Sequence, residues 1–181
     1  MLLVAREPTS EELSAHAQTL ADWYGDPYNQ SMMAGTESLS AQDVIELLGE
    51  MRAQGGRWFL LYVDGQLVGD ADLRHIEADR AEFAIMVGAR HTQGKGLGTL
   101  LSVLIHAFAF DVLRLSAVYL TIVPQNEPGR RCYEKVGYVR DDGPTARSYA
   151  EADDDIAMSI TRDALCEKHK AALSEIVIAP C

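Results

Sequence analysis

Gln93-Gly94-Lys95-Gly96-Leu97-Gly98 is the stretch on which the reading of this chain turns. Three glycines alternate between a segment of strand character and a long apolar helix. Glycine at such a turn lets backbone N–H groups approach an anion with no Cβ in the way. The start of the helix adds about half a positive charge, and Lys95 adds a full one. The combination suits a phosphate or pyrophosphate. The spacing is GxGxG, not the GxGxxG of a dinucleotide-binding turn, and Lys95 is followed by Gly96 instead of the Ser or Thr of a Walker A loop. Taken alone, so short a turn also fits a glycine-rich helix start that binds nothing.

The chain around the turn is locally basic. Residues 90–140 carry seven Lys and Arg against three acids, whereas residues 1–55 carry nine acids against two bases. The 181-residue chain as a whole has a net charge of −11. That acidity argues against a nucleic-acid partner. A basic island in an acidic protein suits a local anionic ligand, although charge alone fits solvated helix faces equally well. Hydrophobic residues at 48% and charged residues at 24% are ordinary for a globular chain. The length suits a single domain over residues 1–161 with a C-terminal extension over 162–181. Cys132, Cys166 and Cys181 form no CxxC pair, and the five histidines show no ligand spacing. Neither a disulfide framework nor a metal site is expected, and a reducing cytoplasm fits best. Met1-Leu2-Leu3-Val4 lacks the basic flank of a signal peptide and reads as a first strand. No apolar stretch is long enough to cross a bilayer, so no membrane partner is expected.

Working outward from the turn, Leu97, Leu100, Leu101, Leu104, Ile105 and Phe108 recur at helical spacing and predict a central helix over about 96–113. Upstream, Trp58–Val63, Gln66 to about Ile76, and Glu82–Val87 read as a three-strand meander with an Asp64-Gly65 hairpin turn. Two helices precede it. One runs from a Ser10 cap to Tyr24; the other starts at Ser40 with Asp43 and ends at Gly55-Gly56. Between them lies a polar loop from Gly25 to Leu39 with Asp26-Pro27, Asn29 and Gly35. Downstream come a strand at Val118–Val123, a short helix from Glu127 to Val136, a strand starting at Tyr138-Val139, a polar loop over 141–154 and a last strand at Ile156–Ile160. The tail reads as a helix from Arg162 to Leu173 and a short strand at Ile176-Val177-Ile178. The order β-α-α-β-β-β-α-β-α-β-β implies an α/β fold with a mixed, mostly antiparallel central sheet flanked by helices. An unpaired edge at the C-terminal strands leaves a homodimer open.

The turn and its neighbours together resemble the GNAT (GCN5-related N-acetyltransferase) superfamily. Gln93–Gly98 resembles its Q/R-x-x-G-x-G/A signature, and Glu82–Val87 sits where the fourth strand of that family lies. Asn126 and Tyr133, seven apart, match its asparagine and tyrosine, and Tyr133-Glu134-Lys135-Val136-Gly137-Tyr138 resembles its Y-E-K-x-G-F/Y string. The resemblance spans residues 58–160. One residue more than in many members separates Val87 from Gln93.

The resemblance implies acetyl-CoA as acyl donor, bound where the fourth and fifth strands splay. Backbone groups at Met86 and Val87 would hold pantetheine, and the N–H groups of Gln93, Gly94, Lys95, Gly96, Leu97, Gly98 and Thr99 would hold the pyrophosphate. Asn126 would contact the cofactor arm, and Tyr133 would sit by the sulfur as general acid. A thiol titrates near about 8.5 and a phenol near about 10, so the phenol can protonate the leaving thiolate. Protein-alanine acetyltransferases of this family use a fifth-strand glutamate, where Thr121 stands here. Glu82 is the substitute as base, with Asp72 the second candidate; each also fits a solvated strand-end carboxylate. Trp23, Tyr24 and Tyr28 with Asp26 offer aromatic faces and charge to a cationic amine, or they pack a helix end. Ala81-Glu82-Phe83 resembles spermidine acetyltransferases. The expected activity is acetyl transfer to a primary amine of a small cationic molecule or a peptide. Two alternatives stand beside it: a non-catalytic acyl-CoA-binding module, and a binding protein for some other phosphate ligand.

Overall fold

Asp64 and Gly65 adopt positive φ values of 48° and 80°, the backbone of a two-residue hairpin turn. They join β2 (Arg57–Val63) to β3 (Gln66–Arg74). β3 ends at Arg74, two residues before the expected Ile76, and His75 follows it at φ 49°. A further turn leads to β4 (Arg80–Met86). β1 (Leu3–Arg6) pairs with the outer side of β2, so the first four strands form one antiparallel block. β5 (Ala117–Ile122) joins β4 in parallel, and β7 (Ile156–Thr161) and the short β6 (Val139–Arg140) complete a seven-stranded sheet ordered β1-β2-β3-β4-β5-β7-β6. The mixed, mostly antiparallel sheet is the expected one.

This computed structural model describes residues 1–33 and 38–178. Gly35 and Cys181, both singled out in the sequence, lie outside the described residues. Helices cover both faces. On one, α1 (Ser10–Tyr24) and α3 (Ala41–Ala53) bury Leu13, Leu20, Val44 and Leu48 against Trp58 and Leu60. On the other, Leu101, Ile105 and Phe108 of α4 (Leu97–Asp111) pack on Phe59, Leu73 and Phe83. Alternation along each strand sends neighbouring residues to these two layers. α5 (Glu127–Val136) and α7 (Arg162–Leu173) pack beside α4, and Leu165 of α7 is part of the same core. His106 is buried in this layer, its Nδ1 2.6 Å from the Ser102 carbonyl and its Nε2 2.6 Å from the Tyr138 hydroxyl. The carbonyl can only accept, so Nδ1 carries the proton and the tyrosine donates to Nε2. Burial holds this imidazole down at about 4 and therefore neutral.

Four local expectations need correction. The cap of α1 is Thr9, not Ser10: Thr9 is extended, its hydroxyl accepts from the Glu12 N–H, and the Glu12 carboxylate takes the Thr9 N–H in return. A glutamate three residues on selects Thr9 between two adjacent capping residues. The polar loop contains a short helix, α2 (Pro27–Ser31), capped by Asp26 through the N–H groups of Tyr28 and Asn29. The acidic loop holds another, α6 (Pro144–Arg147), begun by proline in its first turn. Ile176-Val177-Ile178 forms no strand, and Val177 is exposed. No helix among the described residues is long and apolar enough to cross a membrane.

Candidate active site

β4 and β5 pair only at Arg80↔Ala117, Ala81↔Val118 and Glu82↔Tyr119. Past Glu82 the strands part, and the rest of β4 has no partner on that side. The gap opens into a cavity of about 520 Å³, a size typical of small-ligand sites. Ile85, Met86 and Val87 form one wall, and Asn126, Cys132 and Tyr133 form another. The glycine turn closes one end. A single 3₁₀ turn over Arg90–Thr92 leads from β4 to the glycine turn.

Gly94 and Gly96 take φ values of 73° and 80°, a region that penalises any side chain. A Cβ at either would meet nothing within 4 Å, so the concavity beside them is free. Gly96 caps α4 without a side chain. The N–H groups of Leu97, Gly98 and Thr99 precede the first helical bond, from Leu100 to Gly96, and all three residues line the cavity. Unpaired donors at a helix start form an anion site. Gly98 also lets α4 approach α5: a Cβ there would stand 3.1 Å from the Cys132 sulfur. Gln93 ties the turn down, its amide donating to the Val87 carbonyl at 2.8 Å and to Asn29 Oδ1 at 3.0 Å. Lys95 is exposed and off the cavity, whereas Arg131 and Lys135 of α5 line it.

Asn126 heads α5. Its Oδ1 accepts from the Gly129 N–H at 2.8 Å, and its Nδ2 donates to the Met32 carbonyl at 2.7 Å. The segment just after α2 is thereby tied to the wall opposite Gln93, and Tyr28, Met32 and Met33 line the cavity. Arg90 reinforces this bridge, 3.1 Å from Asp26 and 4.4 Å above the Tyr28 ring. Tyr133 presents its ring to Phe83 and Tyr138. Its hydroxyl makes no hydrogen bond among the described residues. Burial pushes this phenol upward, so it stays protonated at neutral pH.

A second group of polar residues lies one strand away. Asp70, Asp72 and Arg74 alternate onto one face of β3 and pair across to Met86, Ala84 and Glu82. Glu82 is buried and held by Arg74 through two hydrogen bonds of 3.0 Å, with His75 Nδ1 at 2.8 Å from Oε2. Asp70 Oδ2 accepts from the Tyr24 hydroxyl at 2.6 Å and from Trp58 Nε1 at 2.9 Å. Burial lifts Asp70 to about 6, against the pull of those two hydrogen bonds. Burial lifts Asp72 further, to about 7; the charges of Asp70 and Glu82 add to this and Arg74 opposes it. Oδ1 of each aspartate has no hydrogen-bond partner.

The donor-side residues named from sequence thus converge on one cavity, Lys95 excepted. The acceptor-side residues do not share its lining: Glu82, Asp72, Trp23 and Tyr24 stand behind it, and only Tyr28 reaches it. Trp23 lies against Gly88, where any Cβ would stand 2.3 Å from its ring. Thr121 donates to the Tyr149 carbonyl at 3.3 Å. Sequence reasoning missed the contribution of α2 and of Arg131 and Lys135 to the walls; the last two were visible only as members of the basic island. Among the described residues no three His, Cys, Asp or Glu side chains gather as a metal-binding group.

A family model for the acetyltransferase (GNAT) domain matches residues 3–139. A comparison with curated proteins finds no match. Among solved structures, the chain is similar to the aminoglycoside acetyltransferase AAC(6')-Ib in complex with coenzyme A, at TM-score 0.75 and 19% identity over 94% of this chain and 100% of that one. It is similar to RimJ of Mycobacterium smegmatis in complex with CoA-disulfide, at TM-score 0.74 and 19% identity over 95% of this chain and 86% of that one. It is also similar to the spermidine N-acetyltransferase of Vibrio cholerae in complex with CoA and spermine, at TM-score 0.67 and 22% identity over 90% of this chain and 97% of that one. At these identities the likeness to solved structures concerns the fold.

Proposed function

This chain belongs to the acetyltransferase (GNAT) domain family, and from that premise we propose that it transfers an acetyl group from acetyl-CoA to a primary amine of a small cationic molecule or a peptide. One observation carries the reading: a single cavity at the β4–β5 gap runs from an open glycine cradle to the free hydroxyl of Tyr133. Pyrophosphate suits the N–H groups of Leu97, Gly98 and Thr99, with Arg131 and Lys135 supplying charge along the wall. Pantetheine suits the free side of β4 at Met86 and Val87. An N–H group there is available to the oxyanion that forms when the amine attacks the thioester. Tyr133 then protonates the departing sulfur.

A cationic acceptor is supported by the excess of acids in the first 55 residues and by the buried carboxylates next to β4. Two similar structures are named for aminoglycoside and spermidine acetyltransferases. The proposal sets the reaction in the cytoplasm, a compartment that keeps the free thiols of Cys132 and Cys166 reduced. The test is thiol release from acetyl-CoA with spermidine, kanamycin and an alanyl peptide as acceptors. Release with at least one amine is the expected result. CoA binding with no release from any of them would leave a binding module, and no CoA binding would discard the whole reading.

A further inference from the structure

The transfer step needs an acceptor for the amine proton, and Glu82 is poorly placed for it. Both of its oxygens are already held by Arg74, and one also by His75. Asp70 and Asp72 differ. They are 2% and 7% exposed; Asp70 Oδ1 has no hydrogen-bond partner, and the Asp72 carboxylate makes no hydrogen bond among the described residues, its Oδ1 standing 3.8 Å from Arg74 Nε. A buried carboxylate oxygen with no hydrogen bond costs free energy, and packing alone explains neither. Their cross-strand neighbours on β4 are Met86, which lines the cavity, and Ala84. Ala84 offers only a methyl group and is half-buried between two buried residues of the same face, Glu82 and Met86. The sheet face is therefore reachable where Asp72 stands.

We propose that the Asp72 carboxylate receives the ammonium of a primary aliphatic amine and takes its proton, with Asp70 as the positioning residue beside it. The assignment rests on the acetyl-transfer reading and names its base. Tyr24 and Trp58 hold one oxygen of Asp70, leaving the other free to bear on the same cation. The ammonium gives one proton to Asp72. The nitrogen forms its bond to the acetyl carbon, and the carbon–sulfur bond breaks. Sulfur takes the proton of Tyr133, and the second nitrogen proton restores the phenol. Asp72 returns its proton to water. The products are an amide, CoA thiol and one proton.

The charged and titratable groups around Asp72 are Asp70 and Arg74 of its own strand, Glu82 of β4, Tyr24 of α1 and Tyr133 of α5. Burial brings Asp72 to about 7, where a proton acceptor works best at neutral pH. Glu82 supports it indirectly by fixing Arg74.

The test is the dependence of kcat/KM on pH from 6 to 10, with whichever of spermidine, kanamycin or the alanyl peptide the wild-type protein acetylates. Asp72→Asn should lose about 100-fold at pH 7 and recover most of it near pH 10, where the free amine needs no base. Its CoA affinity should stay within about twofold of wild type, since Asp72 lies off the donor cavity. Asp72→Ser should behave alike and serves if the asparagine fails to fold. Asp70→Asn should raise KM for the amine several-fold with little change in kcat. A wild-type pH profile in Asp72→Asn or Asp72→Ser would overturn the assignment while leaving acetyl transfer standing, as would an equal loss at every pH. No turnover by the wild-type protein with any of the amines would overturn both.

Discussion

Tyr133 shows how much a single side chain can be read in advance. Its spacing from Asn126 is a property of one short helix and its cap, so a separation of seven positions suffices to bring both residues to one wall. What sequence could not show is the surrounding burial, which raises the phenol and keeps it a donor across the working pH range. Tyr133→Phe removes the phenol proton proposed for the departing sulfur. The variant should lose about 10- to 100-fold in kcat at pH 7, with CoA affinity within twofold of wild type because the ring and its packing on Phe83 remain. Steady-state thiol release and calorimetric CoA titration measure the two quantities; an unchanged kcat would remove the acid role. Glu82 is the opposite case. Its sequence position looked open, yet the hairpin register sets Arg74 directly across from it. Such a pairing depends on where β3 ends, at Arg74 just before the positive-φ His75, and no periodicity reports that.

At the scale of elements, α1, α3 and α4 were legible because each repeats its apolar face over several turns, and α5 because Pro128 marks its first turn and Gly137 its end. α2 was not, since five residues make little more than one turn, although Asp26-Pro27 signals a start. That omission mattered, because Tyr28 and the residues after α2 bridge the cavity between Gln93 and Asn126. The turn before α4 was legible as chemistry because its glycines are conformationally required. Gly96→Val tests this. A β-branched residue at φ 80° is strained by roughly 1–2 kcal/mol, but its Cβ clashes with nothing nearby, so the fold should survive with a lowered melting temperature. CoA affinity should fall at least tenfold, because the new methyl groups occupy the space reserved for phosphate. Gly96→Asn, which tolerates this backbone region better, separates strain from occlusion: it should melt closer to wild type yet still bind CoA poorly. Wild-type affinity in both would contradict the cradle.

Across the whole molecule, charge is divided by function. The net −11 is carried outside residues 90–140, where bases exceed acids by seven to three. The basic part holds the glycine turn and α5, which face the cavity; the acidic first 55 residues contribute α1 and α3, which cover the carboxylate side of the sheet. A long-range field of this kind steers oppositely charged ligands and is screened by salt over roughly 10 Å at 0.1 M. An acceptor with several positive charges should feel it more than one with a single charge. Raising sodium chloride from about 25 to about 250 mM should therefore lower kcat/KM several-fold for spermidine and less than twofold for a singly charged alanyl peptide, each at saturating acetyl-CoA. Saturation matters because the tetra-anionic donor is attracted to the basic part, and its own salt dependence would otherwise be counted with that of the acceptor. The proton transfer to Asp72 is local and buried, so kcat at saturating amine should hardly move. Equal salt slopes for the two acceptors would mean that the acidic face contributes solubility and not recognition, and that the preference for cations resides wholly in Asp70 and Asp72.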